Sequence, residues 1–183
     1  MTASKGAKMH SKESTRRNRV PRKLIPRNPH GGAFVSELTA LFENLVRVET
    51  RLYNAVDDRL RSTHGMSVGQ YELLRIIGSR ESCRVLDIVR EVAITVGAAS
   101  KAVDRLEAAG WCRRSANPDD RRSSLLALTT AGERLLAEAA PTFEAELAAH
   151  LVGPVTRAAL DRLTASLAAL RIALERDGAG GRG

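Results

Sequence analysis

Aromatic side chains are scarce in this 183-residue chain, amounting to one Trp, two Tyr and three Phe. A core must therefore be assembled from Leu, Val, Ile and Ala, and a hydrophobic content of 43% is enough for one domain with extensions. Cysteine is rarer still. Cys83 and Cys112 cannot form a disulfide framework, and no cluster of histidines stands near them to complete a zinc site, so neither a metal nor a cofactor is expected. The four histidines, His10, His30, His64 and His150, are scattered. No G-x-G-x-x-G, G-K-[ST], H-E-x-x-H or G-x-S-x-G pattern accompanies them, which argues against an enzyme. No apolar run approaches the roughly 20 residues that span a bilayer, and the N-terminus lacks the apolar stretch of a secretory signal. A cytoplasmic protein without a membrane partner is expected.

The net charge of +8 is unevenly placed. Of 29 Lys and Arg and 21 Asp and Glu, nine bases and one acid (Glu13) lie in residues 1–33, leaving twenty of each sign in the remainder. Any basic face on the folded part must therefore come from placement rather than from excess. Residues 1–33 have few large apolar side chains and are read as a disordered basic tail, either an inert extension or an arm that adds phosphate contacts.

From Phe34 the apolar residues Phe34, Leu38, Leu41, Leu45, Val48, Leu52 and Ala55 alternate four and three apart, as on one face of a helix. Leu160, Leu163, Leu167, Leu170 and Leu174 repeat that spacing after the breaker Gly153-Pro154. Between them Thr130-Ala131-Gly132-Glu133 has the form of a capping box, opening a helix with Leu135, Leu136, Ala139, Phe143 and Leu147 that Pro141 is expected to bend. Each stripe taken singly reads as ordinary core. Ser67-Val68-Gly69-Gln70 is a second capping box, before a helix facing inward through Tyr71, Leu74 and Ile77. Val85, Leu86, Ile88, Val89 and Val92 then mark a short helix, and Ala93-Ile94-Thr95 turns into another with Thr95 as N-cap.

The segment Ile94–Thr129, ITVGAASKAVDRLEAAGWCRRSANPDDRRSSLLALT, is the most informative. Ala99, Val103 and Leu106 can pin a helix to a core while Thr95, Gly97, Ala98, Lys101 and Arg105 face outward. Gly110 is expected as a left-handed cap, followed by strands at Trp111–Arg114 and Leu125–Leu128 around the turn Asn117–Ser123. That order is a winged helix-turn-helix, a shape suited to double-stranded DNA. Thr95 and Ser100 can donate or accept at base edges, Val96 or Ala98 can pack on a thymine methyl with Gly97 allowing close approach, and Lys101 and Arg105 can reach phosphate or guanine. Pure capping by Thr95, and an intrahelical ion pair for Arg105, are the structural alternatives. In the turn, Arg122 suits the negative potential of a narrow minor groove, unless the turn carries only solvated ion pairs.

The phrases SKAVDRLEAAGW and NPDDRRSSLLALT resemble the MarR (multiple-antibiotic-resistance regulator) family of bacterial winged-helix repressors, over about Phe34–Arg176. Family wings usually begin with an acid where this chain has Asn117. The resemblance implies a mainly α fold in which a winged helix-turn-helix domain (67–130) lies between an N-terminal dimerisation helix (34–62) and C-terminal dimerisation helices (131–176), with a second disordered tail at 177–183. It further implies a homodimer binding a pseudo-palindromic operator as a repressor, with Arg122 in the minor groove, Asp120 bracing it and Arg121 on phosphate. A small phenolic or aromatic-acid ligand between the terminal helices and the winged domain would follow, with Arg51, Tyr53 and His64 as candidates for holding it. Two further readings stand beside this one. A thiol-based redox sensor would use an exposed, acidic Cys83 or Cys112, and a protein-interaction module would share the shape without reading DNA.

Overall fold

The computed structural model describes residues 31–120 and 122–180, with side chains described for 35–120 and 122–176. The expected tail 1–33 therefore lies almost wholly outside the described residues, as do Arg121 and 181–183. The described order is α1 (Gly31–His64), α2 (Val68–Gly78), α3 (Val85–Val92), α4 (Val96–Ala108), β1 (Cys112–Ala116), β2 (Ser124–Leu128), α5 (Thr130–Leu151) and α6 (Arg157–Gly180). The mainly helical winged fold expected from the sequence is what forms. Two boundaries move: α1 begins at Gly31, inside the segment assigned to the tail, and α6 runs to Gly180, through residues expected to be disordered. Two units divide at Leu41/Phe42, and the elements from α2 to α6 belong to the second.

Local chemistry sets most of these limits. Ser67 Oγ accepts from the Gln70 N–H at 3.2 Å, and Gln70 Oε1 accepts from the Ser67 N–H at 2.8 Å, so the capping box at the start of α2 is complete. Ala93 ends α3 in the left-handed region at φ 56°, the one non-glycine with positive φ among the described residues. Thr95 Oγ1 accepts from the Ala98 N–H at 3.2 Å to start α4, and Gly110, at φ 75°, ends it. The cap of α5 is a correction. Thr129, not Thr130, accepts from the Gly132 N–H at 3.1 Å, and a box is impossible because its partner position is a glycine. Thr129 wins because its hydroxyl also donates to the Gly110 carbonyl at 2.6 Å, tying the helix to the end of α4. Helix α5 continues through Pro141 without interruption.

Strands β1 and β2 pair antiparallel, with Cys112 opposite Leu128 and Ala116 opposite Ser124. A single bridge joins Cys83 to Leu126, whose N–H donates to the Cys83 carbonyl at 2.8 Å, so a third strand is present only as that one residue. The core is aliphatic, as the shortage of aromatics requires: Leu60, Met66, Leu74, Ile77, Ile88, Val103, Leu106 and Leu126 are completely or almost completely buried. Tyr71 and Phe143 add one stacked pair, ring centres 4.6 Å apart, joining α2 to α5. In contrast, Leu38, Leu41, Phe42, Val46 and Val48 of α1, and Leu163, Leu167, Leu170 and Leu174 of α6, remain exposed.

Candidate nucleic-acid interface

Helix α4 buries Ala99, Val103 and Leu106 completely, which fixes the side it turns to solvent. On that side Thr95, Val96, Gly97, Ala98, Lys101 and Arg105 are exposed and Ser100 is half-buried. The first turn thus presents small groups and one hydroxyl already engaged as the cap. Asp104 and Glu107 share the helix and would oppose an anionic ligand, but both are bound by Arg114 of β1, whose Nη2 lies 2.6 Å from Asp104 Oδ1 and whose Nε lies 3.5 Å from Glu107 Oε2. Among the described residues, Lys101 and Arg105 have no ion-pair partner. A chain whose folded part is charge-balanced therefore presents cations on this face by placement.

The turn between β1 and β2 is internally bonded. Buried Asn117 donates from Nδ2 to Ser123 Oγ at 2.9 Å and accepts the Asp119 N–H on Oδ1 at 3.0 Å. Ser123 in turn donates its hydroxyl to the Asp120 carbonyl at 3.2 Å. A carboxylate at position 117 has no proton to give Ser123, so the amide supports a donor chain that an acid cannot. Asp120 Oδ1 accepts the backbone N–H of Arg122 at 3.0 Å. Asp120 thus contacts Arg122 at the backbone only: among the described residues it makes no ion pair with the Arg122 guanidinium, and the Arg122 side chain is exposed. Arg121 lies outside the described residues.

Both thiols overturn what a redox sensor needs. Cys83 and Cys112 are buried and unbridged. Burial, reinforced by Asp87, pushes the Cys83 thiol up, and burial reinforced by Glu107 pushes Cys112 up to about 11 against the opposing pull of Arg114. Neither offers an accessible thiolate.

The three ligand candidates separate. Tyr53 lines a cleft of about 510 Å³ with Arg61, Gln70, Glu72, Ile94 and Arg105. Burial, together with the charges of Asp57 and Glu72, raises its phenol, and burial raises Glu72 despite Arg75. Arg51 is outside this cleft and donates to the Arg47 carbonyl at 3.4 Å. His64 Nε2 is instead 2.8 Å from Thr142 Oγ1 of α5. Arg61 and Glu72, and the binding of Asp104 and Glu107 by Arg114, escaped the sequence reading. The three-residue spacing of Asp104 and Glu107, just before an arginine-bearing strand, was the available signal for the second group.

Residues 66–124 match the model of the MarR family. The HTH-type transcriptional regulator YwhA of Bacillus subtilis is 38% identical over 60 residues, covering 33% of this chain and 43% of that protein. The multiple antibiotic resistance protein MarR of Escherichia coli is 28% identical over 85 residues, covering 44% and 59%. The chain thus spans about half the length of the curated relatives it matches. Among solved structures, the MarR-family transcriptional regulator Sco3205 of Streptomyces coelicolor, in complex with DNA, superposes with a TM-score of 0.69 at 25% identity over 75% of this chain and 91% of its own. The family and its solved members are transcriptional regulators, not enzymes. Over residues 66–124, its winged helix-turn-helix segment, this chain is similar to the MarR family.

Proposed function

We propose that this protein is a sequence-specific, DNA-binding transcriptional regulator, a ligand-responsive repressor that binds a pseudo-palindromic operator as a homodimer. The observation that carries the reading is the pairing of an exposed small-residue turn on α4, flanked by Lys101 and Arg105, which have no ion-pair partner among the described residues, with an exposed Arg122 at the tip of the β1–β2 turn. Helix α4 enters a major groove, where Val96, Gly97, Ala98 and Ser100 approach base edges and Lys101 and Arg105 hold phosphate. Thr95 contributes mainly as a cap, since its oxygen already accepts from Ala98. Arg122 enters the neighbouring minor groove with Asp120 holding its backbone, and Arg121 adds a phosphate contact.

A dimer supplies the second half of the contact. The exposed leucines of α1 and α6 form two apolar series that water does not favour, and a second copy covers them. On this reading 34–62 and 131–176 serve dimerisation and 67–130 reads DNA. Two α4 helices must then reach successive major grooves about one helical turn apart. The Tyr53 cleft suits a small phenolic or aromatic acid, because Arg61 and Arg105 line it with apolar Ile94 and Leu73. Arg105 belongs to both surfaces. A carboxylate drawn to it in the cleft withdraws that cation from phosphate, which lowers DNA affinity by direct competition.

The test is selection of duplexes from a random pool by the full-length protein. Enrichment of an inverted repeat with half-sites about one turn apart supports the reading; an unenriched pool, or binding that is insensitive to salt, favours the protein-interaction module.

A further inference from the structure

The geometry points to Arg114 as a positioning residue for DNA recognition: without touching DNA, it sets the angle between α4 and the β1–β2 wing, so that both engage one half-site together. The inference rests on the DNA-binding reading and adds the part that aligns its two contact elements.

Arg114 lies in the third position of β1 and reaches back over α4 at three successive turns. Its Nη2 donates to Asp104 Oδ1 at 2.6 Å and to the Ser100 carbonyl at 3.3 Å. Its own backbone N–H donates to Glu107 Oε1 at 3.2 Å, while its buried Nε, 3.5 Å from Glu107 Oε2, makes an ion-pair contact but no hydrogen bond among the described residues. Both side-chain hydrogen bonds come from Nη2, which the planar guanidinium holds in a fixed direction between the carbonyl and the carboxylate; an ammonium on a flexible stem is not held in that direction. The apolar contact between the same elements is narrow. On β1 only Cys112 is fully buried, and its thiol approaches the Val103 carbonyl at 3.9 Å. Beyond Cys112 the strand is attached to α4 by Arg114, and the wing tip extends further still, so a small rotation at this point moves Arg122 by much more.

Direct phosphate binding by Arg114 is the competing account, and charge separates the two. The cluster holds one cation between two carboxylates, so it contributes no net positive charge to the DNA face. Asp104, which is itself exposed on α4, gives the sharper contrast. If charge alone mattered, removing a carboxylate beside DNA would tighten binding; if alignment matters, the same change weakens it.

The experiment uses the full-length protein and a duplex that the wild type has enriched from a random pool. Arg114→Lys, Arg114→Gln and Asp104→Asn should each weaken binding to that duplex by about tenfold or more, with little change on a scrambled duplex and an unaltered salt slope. Hydroxyl-radical footprints should lose the minor-groove flank and keep the major-groove centre. Circular dichroism melts report whether the Arg114 variants fold, and if they do not, the conservative Asp104→Asn decides alone. Restored binding in Arg114→Lys, a salt slope shallower by about one in Arg114→Gln, or tighter binding by Asp104→Asn overturns the positioning role. Footprints identical to wild type also overturn it while leaving the DNA-binding reading intact. A wild-type protein that enriches no sequence removes both.

Discussion

Gly132 packs against the carbonyl oxygen of Trp111 so closely that a Cβ at position 132 would overlap it. The first turn of α5 therefore presses directly on the start of the wing, and the same joint carries the Thr129 hydroxyl bond to Gly110. Gly132→Ala must move backbone rather than a flexible side chain. It should destabilise the protein by about 1–3 kcal/mol or more, measured as a shift in the urea midpoint at unchanged slope. A midpoint within error of the wild type would mean that α5 and β1 are not held this closely.

Cys112 links pH to stability. Its thiol is raised in the folded state from 9.0 to about 11, so the folded protein keeps a proton that the unfolded chain releases. The resulting stabilisation is fully present below pH 9 and is lost as pH rises toward about 11. Urea melts across this range should show falling stability with a smaller slope against pH in Cys112→Ala. At neutral pH neither cysteine should react with a thiol reagent until the protein unfolds; rapid labelling of native protein would reopen the redox reading.

How much of this was legible in the sequence depended on the range of the interaction. Ser67 with Gln70, Thr95 with Ala98, and Gly110 all act within one turn, so residue type and spacing were enough. The α5 cap was misplaced by one residue because Thr129 and Thr130 are equivalent locally, and the choice is made by a carbonyl 19 residues away. The wing aspartate was expected to meet the Arg122 side chain and meets its backbone instead. The Arg114 bridge joins residues seven to fourteen apart across a helix and a strand, and no periodicity encodes that. The start of α1 within the apparent tail was hidden by Gly31 and Gly32, whose weak helix propensity is overridden by the apolar series that follows.

The two leucine series supply a prediction about assembly. Leu167→Glu in α6, or Leu45→Glu in α1, places a carboxylate in a seam that would bury it, at a cost of several kcal/mol unless it finds a partner. Both should shift the protein to monomer and reduce operator binding in parallel. Analytical ultracentrifugation checks this, and a wild type that is monomeric at micromolar concentration would remove the two-half-site arrangement.

Removing residues 1–30 deletes nine bases and one acid while leaving α1 complete. If the segment acts as an arm on DNA, the truncated protein should lose affinity for every duplex alike, with a shallower salt slope. Fluorescence anisotropy of both forms on selected and scrambled duplexes, across a salt series, separates an arm from an inert extension, for which the slope stays unchanged.

If α4 and the wing read DNA together, loss of the Arg122 side chain must change both affinity and flank preference. Gel-shift titrations of wild type and Arg122→Ala, on the selected duplex with A·T-rich or G·C-rich flanks, measure its contribution. The variant should bind more weakly by about 1–3 kcal/mol and lose its preference for A·T-rich flanks, while its thermal midpoint stays unchanged because the exposed tip supports no core. An Arg122→Ala protein that binds both duplexes as the wild type does would contradict the account, leaving the wing a solvated turn.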